Sequence, residues 1–209
     1  MRKGDQTREA ILVHALGLAT KVGFEGLTIG RLAEDLELSK SGLFAHFKSK
    51  ENLQVRVLEL ASRRFVDEVI KPALAAPRGE RRVRALFERW LTWEASPSLP
   101  GGCPFMAAST ELDDRPGPAR DFVVKSQKDW RETLANTART AIQEGDFDPA
   151  LDCEQFAHDL NGIALSYSQA SRLLKDPKAR ARADRAFEAL VQSARGAARS
   201  TPEAGARRR

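Results

Sequence analysis

The stretch Thr28–Lys50, TIGRLAEDLELSKSGLFAHFKSK, decides how this chain is read. Thr28 has the hydroxyl of a helix N-cap, and Ile29, Leu32, Ala33 and Leu36 then fall on one helical face. The third helical position is Arg31 rather than Glu or Gln, so this is a single cap and not a capping box. Ser39 caps a second short helix, Lys40 to Phe47, in which Leu43 and Phe47 stand four residues apart and pack inward. Two short helices joined by a tight turn and packed on a longer preceding helix make a helix-turn-helix. A helix of that kind fits the major groove of DNA, roughly 12 Å wide. Ser39, Lys40 and Ser41 stand at its N-terminal end, where unpaired N–H groups and the positive dipole end favour phosphate. Gly42 lets backbone approach closely, and Lys48 and Lys50, beyond the other end, are placed for flanking phosphates.

Outward from this segment the pattern stays helical. Upstream, Ile11, Ala15, Leu18, Ala19 and Val22 share a face, and Gly23 stands where a left-handed C-terminal cap is wanted. Downstream, Ser49 caps a fourth helix with the stripe Leu53, Val57, Leu60 and Ala61, which Pro72 is expected to kink or end. Val83, Leu86, Phe87, Trp90 and Leu91 form a fifth amphipathic segment. Pro97–Gly102 is a breaker cluster, after which Pro104 opens a short helix. Asp113–Pro118 breaks the pattern again, and a long helix then runs from about Pro118 to Glu144 and stops at Gly145. Asp152 and Gln155 have capping-box spacing ahead of Phe156, Leu160, Ile163 and Tyr167. Asp176-Pro177 introduces a last helix with Ala183, Phe187, Leu190, Val191 and Ala194 on one face. No alternating strand run interrupts the series. The expected fold is all-α with about nine helices, divided near residue 50 into an N-terminal helix-turn-helix domain (1–50) and a larger helical domain (51–199).

Composition narrows the function classes. The 209 residues carry a net charge of +5, with 42% hydrophobic and 30% charged residues, an ordinary globular balance. No run nears the roughly 18 apolar residues of a membrane span, and the charged opening has no signal-peptide core. Cys103 and Cys153, fifty residues apart, are neither a disulfide framework nor a zinc set and suit a reducing interior. A cytoplasmic protein is therefore expected. Residues 178–209 hold nine basic and three acidic groups, and the tail 200–209 lacks apolar periodicity, so it reads as a disordered basic end. His14 and His158 lack metal-ligand partners at helical spacing and read as structural or solvated. No triad, carboxylate pair or phosphate-cradling glycine loop makes a case for an enzyme, a metal or a cofactor.

The run Ser39-Lys40-Ser41-Gly42-Leu43-Phe44-Ala45-His46-Phe47-Lys48-Ser49-Lys50-Glu51, with Gly23-Phe24 and Thr28 ahead of it, resembles the DNA-binding domain of tetracycline-repressor-type (TetR family) regulators over about residues 8–60. Gly101-Gly102-Cys103-Pro104-Phe105 and Glu111–Pro118 also resemble a C-terminal subgroup of that family. The resemblance implies a homodimeric one-component regulator, most often a repressor, that binds a palindromic operator and is released by a small ligand. By motif position it implies a backbone-phosphate contact at Thr28, the groove-facing start of the recognition helix at Ser39, Lys40 and Ser41, a phosphate or base contact at His46, and a phosphate contact at Lys48. Phe44 departs from the usual Tyr and loses a phosphate hydrogen bond worth about 1 kcal/mol, while keeping apolar contact with sugar or a thymine methyl. Glu37 departs from the Gly often found in the turn, at a cost of roughly 1 kcal/mol if left-handed.

Family position also marks Trp90, Trp93, Phe105, Met106, Trp130 and Tyr167 as candidates for an apolar or aromatic ligand, each with core packing as the ordinary alternative. Cys103 reads as a buried packing residue before it reads as a thiol sensor. The last two helices are the expected dimer seam, a four-helix bundle with contacts at Phe187, Leu190 and Val191. Two other readings stay open at this point. One is a nonspecific DNA-coating protein driven by the basic tail. The other is a ligand-binding protein whose DNA binding is weakened by Glu37 and Phe44.

Overall fold

The computed structural model describes residues 3–196. The tail 200–209 lies outside them. The elements in chain order are α1 (Lys3–Gly26), α2 (Ile29–Asp35), α3 (Lys40–Phe47), α4 (Lys50–Phe65), a π-helical segment (Val66–Ile70), α5 (Lys71–Ala75), α6 (Glu80–Glu94), α7 (Pro104–Glu111), α8 (Pro118–Gln143), α9 (Cys153–Ser168) with a π-helical end (Gln169–Leu173), and α10 (Ala179–Ala194). The run from α4 to α5 is unbroken, so the described residues form nine helical rods and no strand. None of these helices is long and apolar enough to cross a membrane.

Local chemistry sets the helix starts. Thr28, Ser39 and Ser49 each accept a backbone N–H three residues on, from Arg31 at 3.1 Å, Gly42 at 3.1 Å and Asn52 at 3.0 Å. Asp152 caps α9 by accepting from the N–H groups of Glu154 and Gln155. The capping box there is only half formed, because the Gln155 amide donates forward to Asp159. Gly23 takes φ 78° and breaks the regular helix, yet one further turn carries α1 on to Gly26.

Pro72 does not end its helix at once, and the helix stops three residues later at Ala75. A proline clashes with the carbonyl four residues back and cannot bond to it. The π-helical segment just ahead shifts the pairing by one residue, with Lys71 N–H bonded to Val66 carbonyl, and the helix passes through Pro72 to Ala75. The last helix begins at Ala179 rather than at Asp176-Pro177, and Asp176 instead accepts from the Lys178 N–H at 2.9 Å.

One apolar cluster runs through the described residues, from Ile11 and Leu16 in α1 to Val191 in α10. It joins the first three helices to the rest. α1 packs on α4 and on α7, α8 packs on α9, and α9 on α10. The end of α1 is held by side chains from both neighbours. Gln54 of α4 donates to the Phe24 carbonyl at 2.6 Å, and Glu111 of α7 accepts from the Glu25 N–H at 2.9 Å. The Glu25 carboxylate receives Lys50 at 3.0 Å and Arg115 at 2.7 Å. The hydrogen bond from Lys50 holds the Glu25 carboxyl below its ordinary range. Lys50 is thus engaged within the protein rather than free for a flanking phosphate, the role its position in the sequence implies.

Candidate nucleic-acid interface and ligand cavity

The recognition helix sorts its residues by face. Leu43 and Phe47 are buried, as are Leu32 and Ala33 of α2, and they seat α3 on the core. Ser39, Lys40, Ser41, Gly42, Phe44, His46 and Lys48 are exposed, and Thr28 is half-buried. The hydroxyl oxygens of Thr28 and Ser39 accept from the backbone, which leaves each O–H as a donor. Lys48 sits at the α3 C-cap with φ 61°, and its N–H bonds the Phe44 carbonyl at 2.7 Å. A Cβ on Gly42 would come within 3.0 Å of the Ser39 hydroxyl, so this glycine also spares the cap. Glu37 is left-handed at φ 53°, the strained turn position expected for it.

Three features of this surface are not legible in the sequence pattern. Lys40 is paired with Glu34 of α2 at 3.4 Å, an exposed contact that a phosphate or base must displace. Arg31 of α2 is exposed beside Thr28. Leu38 in the turn is 46% exposed and joins Phe44, the residue expected on this face and 56% exposed, as a second large apolar side chain on a face otherwise polar. His14, which reads as structural, pairs with Asp35 and ties α1 to the end of α2.

A cavity of about 440 Å³ lies between α4, α6, α7, α8 and α9, within the size range of ligand pockets. Four of the six expected ligand residues line it: Trp90, Phe105, Met106 and Trp130. Phe65 of α4, not among the expected residues, is the hub of their packing. Its ring meets Trp130 edge-on at 5.1 Å, Trp93 at 5.5 Å and Phe105 at 6.4 Å, while Trp90 meets Trp130 at 4.8 Å. A signal for it exists, since Phe65 extends the α4 stripe by four residues from Ala61.

The other two expected ligand residues lie elsewhere. Trp93 is 2% exposed and packs behind Phe65 without reaching the cavity wall. Tyr167 faces a second groove, between α9 and α10. Asn161 and Leu165 of α9 face the cavity, and Tyr167, two residues further on, is turned roughly 200° from Leu165. Cys103 is part of the cavity wall. Burial, with the Glu94 carboxylate beside it, pushes its thiol up to about 11, so it is protonated at neutral pH and behaves as a packing residue. Burial also raises the Glu94 carboxyl, against hydrogen bonds from Ser168 at 2.6 Å and the Cys103 N–H at 3.1 Å.

The expected seam residues Phe187 and Val191 face the chain's own core. Phe187 is 3% exposed and stacks on Phe87 of α6, with centroids 4.0 Å apart and planes 8° from parallel. Val191 is fully buried. A helix side turned toward α6 cannot also meet a second chain. Leu190 is half-buried and lines the α9–α10 groove with Gly162, Ile163, Tyr167, Ala186 and Leu174.

Comparison with known proteins agrees with this architecture. Residues 11–57 match the family model described as bacterial regulatory proteins, tetR family, and residues 79–187 match the tetracyclin repressor-like C-terminal domain. Over 46 residues the chain is 50% identical to the tetracycline repressor protein class C of Escherichia coli, a match covering 22% of this chain and 21% of that protein. A TetR transcriptional regulator from Chloroflexus aurantiacus superposes with a TM-score of 0.81 at 26% identity, covering 92% of this chain and 96% of its own. AibR, solved in complex with isovaleryl coenzyme A and operator DNA, superposes at 0.70 with 22% identity, over 90% and 97% of the two chains. The C-terminal match alone spans more than half of the sequence, and with the helix-turn-helix match it shows that the chain belongs to the TetR family of DNA-binding, ligand-responsive transcription regulators.

Proposed function

We propose that this protein is a repressor that binds a palindromic operator as a homodimer and leaves it when a small apolar or aromatic ligand fills the cavity. One observation carries the reading: α3 buries Leu43 and Phe47 and turns Ser39, Lys40, Ser41 and Phe44 outward together. A domain boundary near residue 50 accompanies it, since α4 starts there. Lys40 and Ser41 read base edges, whereas Thr28, Ser39, His46 and Lys48 fix the helix on the backbone, and Gly42 allows the approach. Phe44 supplies apolar contact. Ligand binding is linked to the DNA-binding helices through α7. Phe105 and Met106 of α7 line the cavity, and Glu111 at its end holds the Glu25 N–H of α1. A ligand that favours a different α7 position thereby favours a recognition-helix spacing that no longer fits.

Anisotropy titrations at two salt concentrations, on the DNA upstream of the gene and on a random duplex, test the assignment. Lys40→Ala with Ser41→Ala should lower the operator-to-random affinity ratio by about tenfold or more. Lys48→Ala should weaken both duplexes alike and flatten the salt dependence by about one charge. An unchanged ratio in the first variant rejects the base-reading role. No preference for the upstream DNA in the parent favours the ligand-binding protein with weakened DNA binding.

The dimer seam belongs on the outer face of α9 and α10 rather than at Phe187 and Val191. Ile163, Tyr167 and Leu190 stand there, flanked by Leu173 at 72% and Leu174 at 66% exposure. An exposed apolar strip of this kind is normal for a covered interface and costly in an isolated chain. Ile163→Glu with Leu174→Glu should give a folded monomer by sedimentation and lose operator binding by about a hundredfold, because each half-site then binds alone. A dimer that persists in this variant places the seam elsewhere.

A further inference from the structure

The charged groups of the cavity wall are all of one sign. The wall contains no lysine, arginine or histidine among the described residues, in a chain that carries 34 lysines and arginines. It does contain two carboxylates, Asp113 and Asp129. Asp129 is paired with Lys125 at 2.5 Å, and Lys125 is not part of the wall. Asp113 accepts the backbone N–H of Asp114 at 2.9 Å and is otherwise turned to solvent. Between the carboxylates and the core stand the rings of Phe65, Trp90 and Trp130, set edge to face so that their π surfaces turn different ways.

An anion entering this space would give up water and find no cation in the wall itself, and Lys125 at its edge is already paired with Asp129. A cation would meet carboxylates at the polar side and aromatic faces within. We infer that the effector is a lipophilic cation, an ammonium head on an apolar or aromatic body, and not a carboxylate or phosphate ester. This rests on the cavity being the effector site and adds the charge of the ligand to that reading.

The test uses three probes with one body: 4-phenylbutyltrimethylammonium, 4-phenylbutanol and 4-phenylbutyrate. Binding to the full chain without DNA is followed by tryptophan emission, since Trp90 and Trp130 are in the wall. The cation should bind saturably and about tenfold tighter than the alcohol, and the carboxylate should not saturate. Added salt should weaken the cation alone. Asp113→Asn and Asp129→Asn should each narrow the gap between cation and alcohol while the alcohol's affinity holds, so a fold defect and a charge effect separate. Equal affinity for cation and alcohol, tighter binding of the carboxylate, or no saturable binding of any probe overturns the inference. Because no operator is present, failure of the repressor reading shows up separately, in the DNA titrations.

Discussion

Gly101→Ala should lower the melting temperature by about 6–12 °C, the shift that roughly 3 kcal/mol produces in a chain of this size. A Cβ on Gly101 would lie 1.5 Å from the Thr20 carbonyl oxygen and 1.9 Å from its carbon. Those are backbone atoms of α1, with no flexible side chain to swing aside. The Gly101 N–H also donates to the Thr20 hydroxyl at 2.9 Å, and Thr20 is buried. Seating the methyl group therefore means moving the loop ahead of α7 off α1 and breaking that bond. Ordinary overpacking costs about 1–3 kcal/mol, and a contact against backbone belongs at the upper end. Because the loop leads directly into the cavity wall at Cys103 and Phe105, the variant should also bind operator more weakly. A thermal melt within about 2 °C of the parent would show that α1 is not seated on this loop.

The second large effect is expected at Phe187. Its ring is stacked on Phe87 and lies under the Arg84 guanidinium, 5.7 Å from the ring centroid. Arg84 is in turn fixed by Glu80 at 2.7 Å and by Glu188. Phe187→Ala should cost about 3–5 kcal/mol of unfolding free energy, the usual range for removing a buried ring. Phe187→Leu, which keeps much of the volume, should cost clearly less. The two together identify a cavity effect. Sedimentation should show the same association state for the leucine variant as for the parent. If Phe187 lay at a chain–chain seam, truncation would instead change association and leave the unfolding energy of the isolated chain nearly intact.

Much of this molecule is legible in the sequence because local rules agree with the fold. Thr28, Ser39, Ser49 and Asp152 mark helix starts by their own hydrogen bonds, and Gly23, Gly117 and Gly145 mark breaks by positive φ. The buried face of α3 follows from the four-residue spacing of Leu43 and Phe47. What failed depended on how helices are rotated against one another. Phe187, Leu190 and Val191 share a stripe, but a stripe does not say which neighbour covers it. Here α6 takes Phe187, Val191 is fully buried, and of the three only Leu190 reaches the outer groove. Tyr167 and Trp93 are aromatic like the true wall residues and differ only in their angle about the helix axis. The helix runs past Pro72 to Ala75, and the π-helical segment just ahead has no mark in residue type. The pairs Lys40–Glu34 and Lys50–Glu25 join residues whose distance no single helix fixes.

The central claim is that α3 reads a duplex, twice, from a twofold pair. Selection of bound sequences from a pool of randomised duplexes by the intact chain tests it most directly, since the protein itself then picks out its operator. The account predicts enrichment of an inverted repeat whose half-site centres lie about one helical turn apart, roughly 34–36 Å, and loss of that enrichment with Lys40→Ala and Ser41→Ala. Recovery of no preferred sequence, or of the same sequence with the altered chain, would contradict it.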